Sequence, residues 1–366
     1  MRFVVEMSAV LALLMTSLKA SGQSANPSHG LVGAVECAAC HRGEFEAQSQ
    51  SEHAHALSRP AEHALAREFA SSSDFVRSGK HRFHFFSAEG ALRVRAWDNT
   101  DQIEIPLDWA FGAGEQAVTF VSRIDSEWYL ENALSYYSAF RSYALTPGQQ
   151  DARRESLKTA VGRMYRTDDT IGGITGCFEC HSTGPVTRDA AGALRPHEAG
   201  VRCEACHGEG SAHKTAALSH NRKQAISSIA NPGRMTAQEL NLFCGKCHRA
   251  QSTEGVETDW NVAWNVRHQP IYFSQSACFR QSRGAFSCIT CHDPHTRLIR
   301  SDSSYNAKCR ECHNQAERKP AKACGDTNTS NCVECHMPTV SPQPWLRFTN
   351  HWIGVYSGGG KLKPRR

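Results

Sequence analysis

The sequence predicts a mainly α chain with low regular secondary structure, folded around bound groups rather than side chains and carrying a small β-rich insert. Three observations predict it. The pattern Cys-x-x-Cys-His occurs seven times in 366 residues. Six of the copies crowd into the 160 residues from Cys177 to His336, about 27 residues each, too few for an ordinary side-chain core. Between the first and second copies, apolar and polar residues alternate with a period of two, the mark of half-buried strands.

In chain order the copies are CAACH (Cys37, Cys40, His41), CFECH (Cys177, Cys180, His181), CEACH (Cys203, Cys206, His207), CGKCH (Cys244, Cys247, His248), CITCH (Cys288, Cys291, His292), CRECH (Cys309, Cys312, His313) and CVECH (Cys332, Cys335, His336). They use 14 of the 16 cysteines. The pattern is the attachment signature of c-type haem. Cysteines at i and i+3 share one face of a helical turn, so both can form thioethers to one porphyrin. The histidine at i+4 then lies under the iron as its proximal ligand. Zinc is the competing reading, since 22 residues separate Cys180 from Cys203, close to a zinc-ribbon spacing. Zinc does not require a histidine directly after the second cysteine, and here one follows all seven times. The cofactor expectation is seven covalently bound haem c groups, with the seven motif histidines as proximal ligands.

Residues 1–22 read as a secretory signal peptide: Arg2, a short apolar run from Met7 to Leu18, then small residues. The run is too short to span a bilayer, and no later segment is apolar enough, so no stable membrane insertion of the mature chain is expected. Haem is attached outside the cytoplasm, so the expected location is periplasmic or otherwise extracytoplasmic. In such a compartment the two remaining cysteines, Cys278 and Cys324, are candidates for a disulfide, with free buried thiols as the alternative. The net charge of +5 could suggest nucleic acid, but haem propionates account for it better. Thirty of the 41 basic residues are arginine, the residue that pairs bidentately with carboxylates. Nucleic acid is therefore not expected as a partner.

The chain divides into an N-terminal haem segment (23–80), the β-rich insert (81–145), a six-haem domain (146–353) and a flexible basic tail (354–366). HRFHFF (81–86), the turn SAEG and ALRVRAW (91–97) predict a hairpin. QIEIPL (102–107) and QAVTFVSRI (116–124) predict further strands, WYLENALSYYSAF (128–140) a strand or a helix, and residues 151–164 a helix.

The second axial ligand follows from supply. Past the leader only Met164, Met235 and Met337 remain, and Met337 adjoins a proximal histidine. Nineteen histidines less seven leave twelve, so mostly bis-histidine ligation is expected. His295, in CITCHDPH, stands three residues after His292 with Pro294 between. Axial ligands occupy opposite faces of one iron, ~4 Å apart at ~2 Å per bond, the length of a zinc–histidine bond. His292 and His295 do not clamp the same iron, so His295 serves a neighbouring haem. His213, six residues beyond His207, and His351, fifteen beyond His336, are distal candidates on the same grounds, and His268 in VRHQP is a further one. In SEHAHAL, expected to be helical, only one of His53 and His55 should face a haem.

These segments resemble the cytochrome c-552/c-554-like multihaem family. GAVECAACHRGEFEAQSQSEHAHAL resembles that family's N-terminal haem segment, which implies His53 as a ligand to another haem. GVRCEACHGEGSAH resembles GVxCExCHGPGxxH, implying His213, with Glu209 in place of the usual proline. FSCITCHDPH resembles CxxCHxPH, implying His295. CVECHMP followed by NHWI resembles a last-haem ending, implying His351, with Asn350 where aspartate is usual. The resemblance covers most of residues 33–353 and implies a multihaem architecture, which hosts both carriers and reductases.

The expected function is a heptahaem cytochrome relaying electrons between redox partner proteins: other cytochromes, or quinol-linked or terminal oxidoreductases. The alternative is an oxidoreductase acting on a small nitrogen or sulfur compound at one open-coordinated haem. No motif reads CxxCK, which argues against a lysine-ligated active site. Tyr165, Arg166 and His197 are the residues that could line an open one, and no catalytic residue is assigned.

Overall fold

The alternation in residues 81–97 is realised as a hairpin. Strands β1 (Leu57–Ser58), β2 (Val76–Ser78), β3 (His81–Ala88), β4 (Ala91–Trp97) and β5 (Gln102–Pro106) open the strand-rich region. There follow β6 (Trp109–Phe111), β7 (Ala117–Arg123), β8 (Trp128–Tyr137), β9 (Ser142–Leu145) and β10 (Gly162–Arg166). In β4 and in residues 81–86 of β3 every second residue is buried, with Phe85 opposite Val94 and Phe83 opposite Ala96. The structure, a computed structural model, describes residues 30–70, 76–150, 152, 154–167, 173–249, 258–313 and 331–365. The signal-peptide segment, His29 and Cys324 lie outside these residues, and with Cys324 the expected disulfide.

Two antiparallel sheets result. The first runs β2-β3-β4-β5 and the second β1-β6-β7-β8-β10, with β9 also on β8. They bury a shared core: Phe83, Phe85 and Val94 of the first meet Phe120, Leu130, Tyr136 and Tyr143 of the second. The Phe85 and Tyr143 rings stack at 3.6 Å and 4°, and Tyr143 donates its hydroxyl proton to the Phe69 carbonyl at 2.7 Å. Successive strand residues point to opposite faces, so the second sheet has another apolar face. Trp109, Phe111, Val121 and Tyr129 on that face pack against Ile174 and Phe178 of the second-motif helix Ile174–His181.

Mainly α is therefore not the fold class. About a third of the described residues are helical and a quarter are in strands. Two further hairpins add to the sheets: β11 (Ser182–Arg188) with β12 (Leu194–Ala199) between the second and third motifs, and β13 (Thr339–Gln343) with β14 (Leu346–Thr349) after the seventh. The helices do not dominate because most motif helices are a single turn, such as Cys203–His207 and Cys332–His336. Among the described residues of 151–164 only Leu157–Ala160 are helical before the chain passes into β10, whose edge pairing with β8 prevails over helix propensity. The basic tail folds back: Asn350 Nδ2 donates to the Lys361 carbonyl at 2.8 Å, and Leu362 packs with Val266, Tyr272 and Val340.

Candidate haem sites

Each motif occupies one helical turn. His41 N–H bonds the Cys37 carbonyl at 2.8 Å and His292 N–H the Cys288 carbonyl at 3.0 Å, the i to i+4 bond that brings the histidine to the cysteines' side. Local chemistry starts these turns. Thr236 and Glu239 form a capping box before the helix Ala237–His248, Ser287 and Thr290 one before Cys288–Cys291, and the Asn331 side chain caps Cys332–His336.

The first motif is capped from afar. Its helix Ala34–Ala38 starts at Gly33 with no side-chain cap of its own. The buried Glu204, inside the third motif, accepts from Val32 N–H at 2.9 Å, Gly33 N–H at 2.8 Å and Gly210 N–H at 2.7 Å. Glu198 accepts from Ala34 N–H at 3.2 Å. Two carboxylates thus meet the positive end of that helix and tie the first motif to the third. Sequence reasoning missed both, since their partners lie more than 160 residues away.

The structure brings the histidines together in pairs. Ring centroids of His41 and His213 are 6.2 Å apart, His53 and His248 6.0 Å, His207 and His295 6.1 Å, and His292 and His351 6.2 Å. These gaps far exceed the Phe85–Tyr143 contact. An iron between two imidazole nitrogens, ~2 Å from each, with each ring centre ~1 Å further on, sets the centroids ~6 Å apart. The pairs fit that span. Each pair joins a motif histidine to one of the four expected distal candidates.

Tautomer agrees with the span. Nδ1 faces a backbone carbonyl in His207 (Ala230, 2.8 Å), His213 (Ala225, 2.8 Å), His351 (Thr349, 2.9 Å), His181 (Ala56, 2.9 Å) and His336 (Gly354, 2.9 Å). An Nδ1–H donated to a carbonyl leaves the Nε2 lone pair for a metal. Burial also pushes the His351 pKa down to about 4 and lowers that of His53, His181 and His292, which keeps the rings neutral, as a ligand must be. His63 is the contrast: Nε2 donates to the Gly112 carbonyl and Nδ1 accepts from Leu65 N–H, both at 3.0 Å. It is a saturated structural histidine. His53 and His55 lie in turns rather than on the expected helix, and His53 turns inward while His55 is exposed.

His268 has a half-buried ring whose Nε2 meets no hydrogen-bond partner. Burial, then Arg267 and Arg249, push its pKa down to about 4. Among the described residues no histidine ring stands opposite His181 or His313 at the spacing of the four pairs. Phe111 lies edge-on to His181 at 5.3 Å. Tyr165 and Arg166 alternate to opposite faces of β10: Tyr165 points to Glu131 and Cys177, and Arg166 lies 5.5 Å over Trp128. His197 stands on β12 against Gly184. The three do not form a common lining.

Cysteines of different motifs meet. The thiols of Cys37 and Cys203, Cys180 and Cys247, Cys244 and Cys288, and Cys309 and Cys332 are within hydrogen-bond reach. Cys180 and Cys203, the two ends of the zinc-ribbon spacing, thus take different neighbours. The motif cysteines would carry the thioethers, the motif histidines and their opposite rings would hold the irons, and haem would supply one-electron chemistry.

The family described as cytochrome c554 and c-prime matches residues 136–208. The multiheme cytochrome MtrA of Shewanella baltica (strain OS185) is 23% identical over 202 residues, 47% of this chain and 55% of MtrA, so the chain spans about half the length of the curated relative it matches. The crystal structure of the outer cell wall cytochrome OcwA aligns with a TM-score of 0.45 and 14% identity, covering 88% of this chain and 79% of that one. The repeated attachment motifs and these sequence likenesses identify the chain as a multihaem c-type cytochrome.

Proposed function

We propose that the chain carries seven haem c groups and relays electrons between redox partner proteins outside the cytoplasm. The observation that carries this reading is the interleaving of the four histidine pairs. His53, following the first motif, stands opposite His248 of the fourth. His213, following the third, faces His41 of the first; His295, following the fifth, faces His207 of the third; and His351, following the seventh, faces His292 of the fifth. Each distal ligand so read is tethered next to a different haem, and such sharing forces neighbouring porphyrins close together, as rapid electron transfer requires. His268 is the distal ligand proposed for a further iron, on the strength of its unpartnered Nε2. The test is spin-quantified electron paramagnetic resonance of the oxidised protein with a haem count. Seven haems, at least four of them low-spin, are expected; fewer than four low-spin irons would sink the reading.

The second reading, an oxidoreductase with one open haem, draws on one place. The His181 ring has no described histidine opposite it, and the half-buried Glu131, hydrogen-bonded by Gln149 and Tyr165, lies toward Cys177 of the same motif. A high-spin signal that shifts on adding nitrite, hydroxylamine or cyanide would favour it.

A further inference from the structure

Arg202 and Arg267 differ from the other arginines with buried side-chain nitrogens. Nε and Nη1 of Arg202, and Nε of Arg267, are buried without a hydrogen-bond partner. Arg95 and Arg154 also bury an unpartnered Nε, but Arg95 pairs with Glu104 and Arg154 donates to the Gln149 carbonyl. Neither Arg202 nor Arg267 has a side-chain hydrogen bond or ion pair with any described residue. Arg267 stands 4.5 Å over the Trp264 ring, and the like-charged Arg249 acts on it. A guanidinium cannot shed its proton, and leaving a buried charge without a counter-ion is costly. Both positions call for an anion.

Their surroundings say which one. Val201, next to Arg202, donates its N–H to the His53 carbonyl at 2.8 Å. Arg267 neighbours Arg249, which directly follows His248. Through these neighbours each arginine is tied to one member of a single histidine pair, Arg202 to His53 and Arg267 to His248. We infer that Arg202 and Arg267 are carboxylate anchors for the propionates of the haem held between His53 and His248, an inference that rests on the ligation proposed above. A resident carboxylate satisfies the requirement where a passing substrate anion does not, because these guanidinium groups need a partner whenever the protein is folded.

The test uses the haem-loaded protein and a signal particular to that haem. Its two imidazole planes are 72° apart, whereas the other three pairs lie at 7° to 40°. Nearly perpendicular planes bring the two iron d orbitals that interact with the rings close in energy, so this iron gives the most anisotropic low-spin signal. Potentiometric titration followed at that signal is compared for the wild type, Arg202→Gln, Arg267→Gln and the charge-keeping Arg202→Lys and Arg267→Lys. Loss of positive charge beside a propionate disfavours the reduced haem. In each glutamine variant the oxidised-to-reduced ratio at fixed potential should rise about tenfold, ~59 mV for one electron, and lysine should restore most of it. Unchanged potentials in both glutamine variants overturn the inference, as does a loss of nitrite or sulfite binding with potentials unchanged. Absence of the anisotropic signal from the wild type would instead remove the ligand pairing. If a glutamine variant does not load haem, the lysine variant decides: a midpoint near that of the wild type supports the inference, and one unmoved by deleting the other arginine overturns it.

Discussion

Residues 57–166 fill the space between two sheets with Phe83, Phe85, Phe120, Leu130, Tyr136 and Tyr143. The helix Asp302–His313, at twelve residues among the longest in the chain, buries only Asn306, and the helices Cys288–Cys291 and Cys332–His336 bury no residue. The first region is held by its own side chains. The second has helices that bury almost none of their described residues, as a chain built around porphyrin would. The contact between the regions is asymmetric too: the six-stranded sheet turns its second apolar face to the helix of the second motif, with Phe178 edge-on to Trp109 at 5.5 Å and to Phe111 at 5.1 Å. The second motif is therefore seated on an apolar sheet face, while the third meets the β11 hairpin and the first motif.

The largest expected effect separates the two regions outright. If haem attachment is prevented, the strand-rich region should persist as a protease-resistant core while residues 203–365 are degraded. Mass spectrometry of the resistant fragment checks this, and equal resistance along the whole chain would refute the contrast. Next, Phe120→Ala removes a ring that touches Phe69, Phe85 and Tyr143 and should cost ~3–5 kcal/mol, as large-to-small core changes do. It should lower the melting of the strand signal and leave the haem absorption unchanged; an altered haem spectrum would mean that the regions do not fold independently.

Single-ligand changes act on one iron each. His295→Ala should convert one low-spin iron, that of His207, to high-spin without moving the strand melting temperature, and a full low-spin count in the variant would break the assigned pairing. The smallest effect lies at the boundary. Burial raises the Glu131 pKa above the ordinary 4.5, so the folded state favours the protonated carboxyl. That stabilisation is complete below about pH 4.5 and is lost as pH rises through the raised folded value. Glu131→Gln should match the wild type at pH 4 and melt slightly higher at pH 7. A variant less stable at pH 7 than at pH 4, relative to the wild type, would show that the charge is wanted there.

The attachment turns and the 81–97 hairpin were legible because both are local: a thioether pair needs i and i+3, and a half-buried strand needs a period of two. The fold class was misjudged for a related reason. Counting motifs emphasises helical turns, but each turn is only about five residues, while the strands reach outside the 81–145 window to Leu57 at one end and Arg166 at the other. The 151–164 segment misled because its partner, β8, lies across the sheet rather than beside it in sequence.

The sequence by itself determined where the attachment motifs stand, because the pattern is closed within five residues. It also named His53, His213, His295 and His351 as spare imidazoles near motifs. Only the tertiary structure decided which motif histidine each of them faces, since the paired rings lie 59 to 195 residues apart. Only it showed that carboxylates of the third motif region cap the first, and that Arg202 and Arg267 bury guanidinium nitrogens without an answering side chain among the described residues. Orientation across such distances is fixed by how hairpins, turns and helices pack together, and no local spacing encodes it.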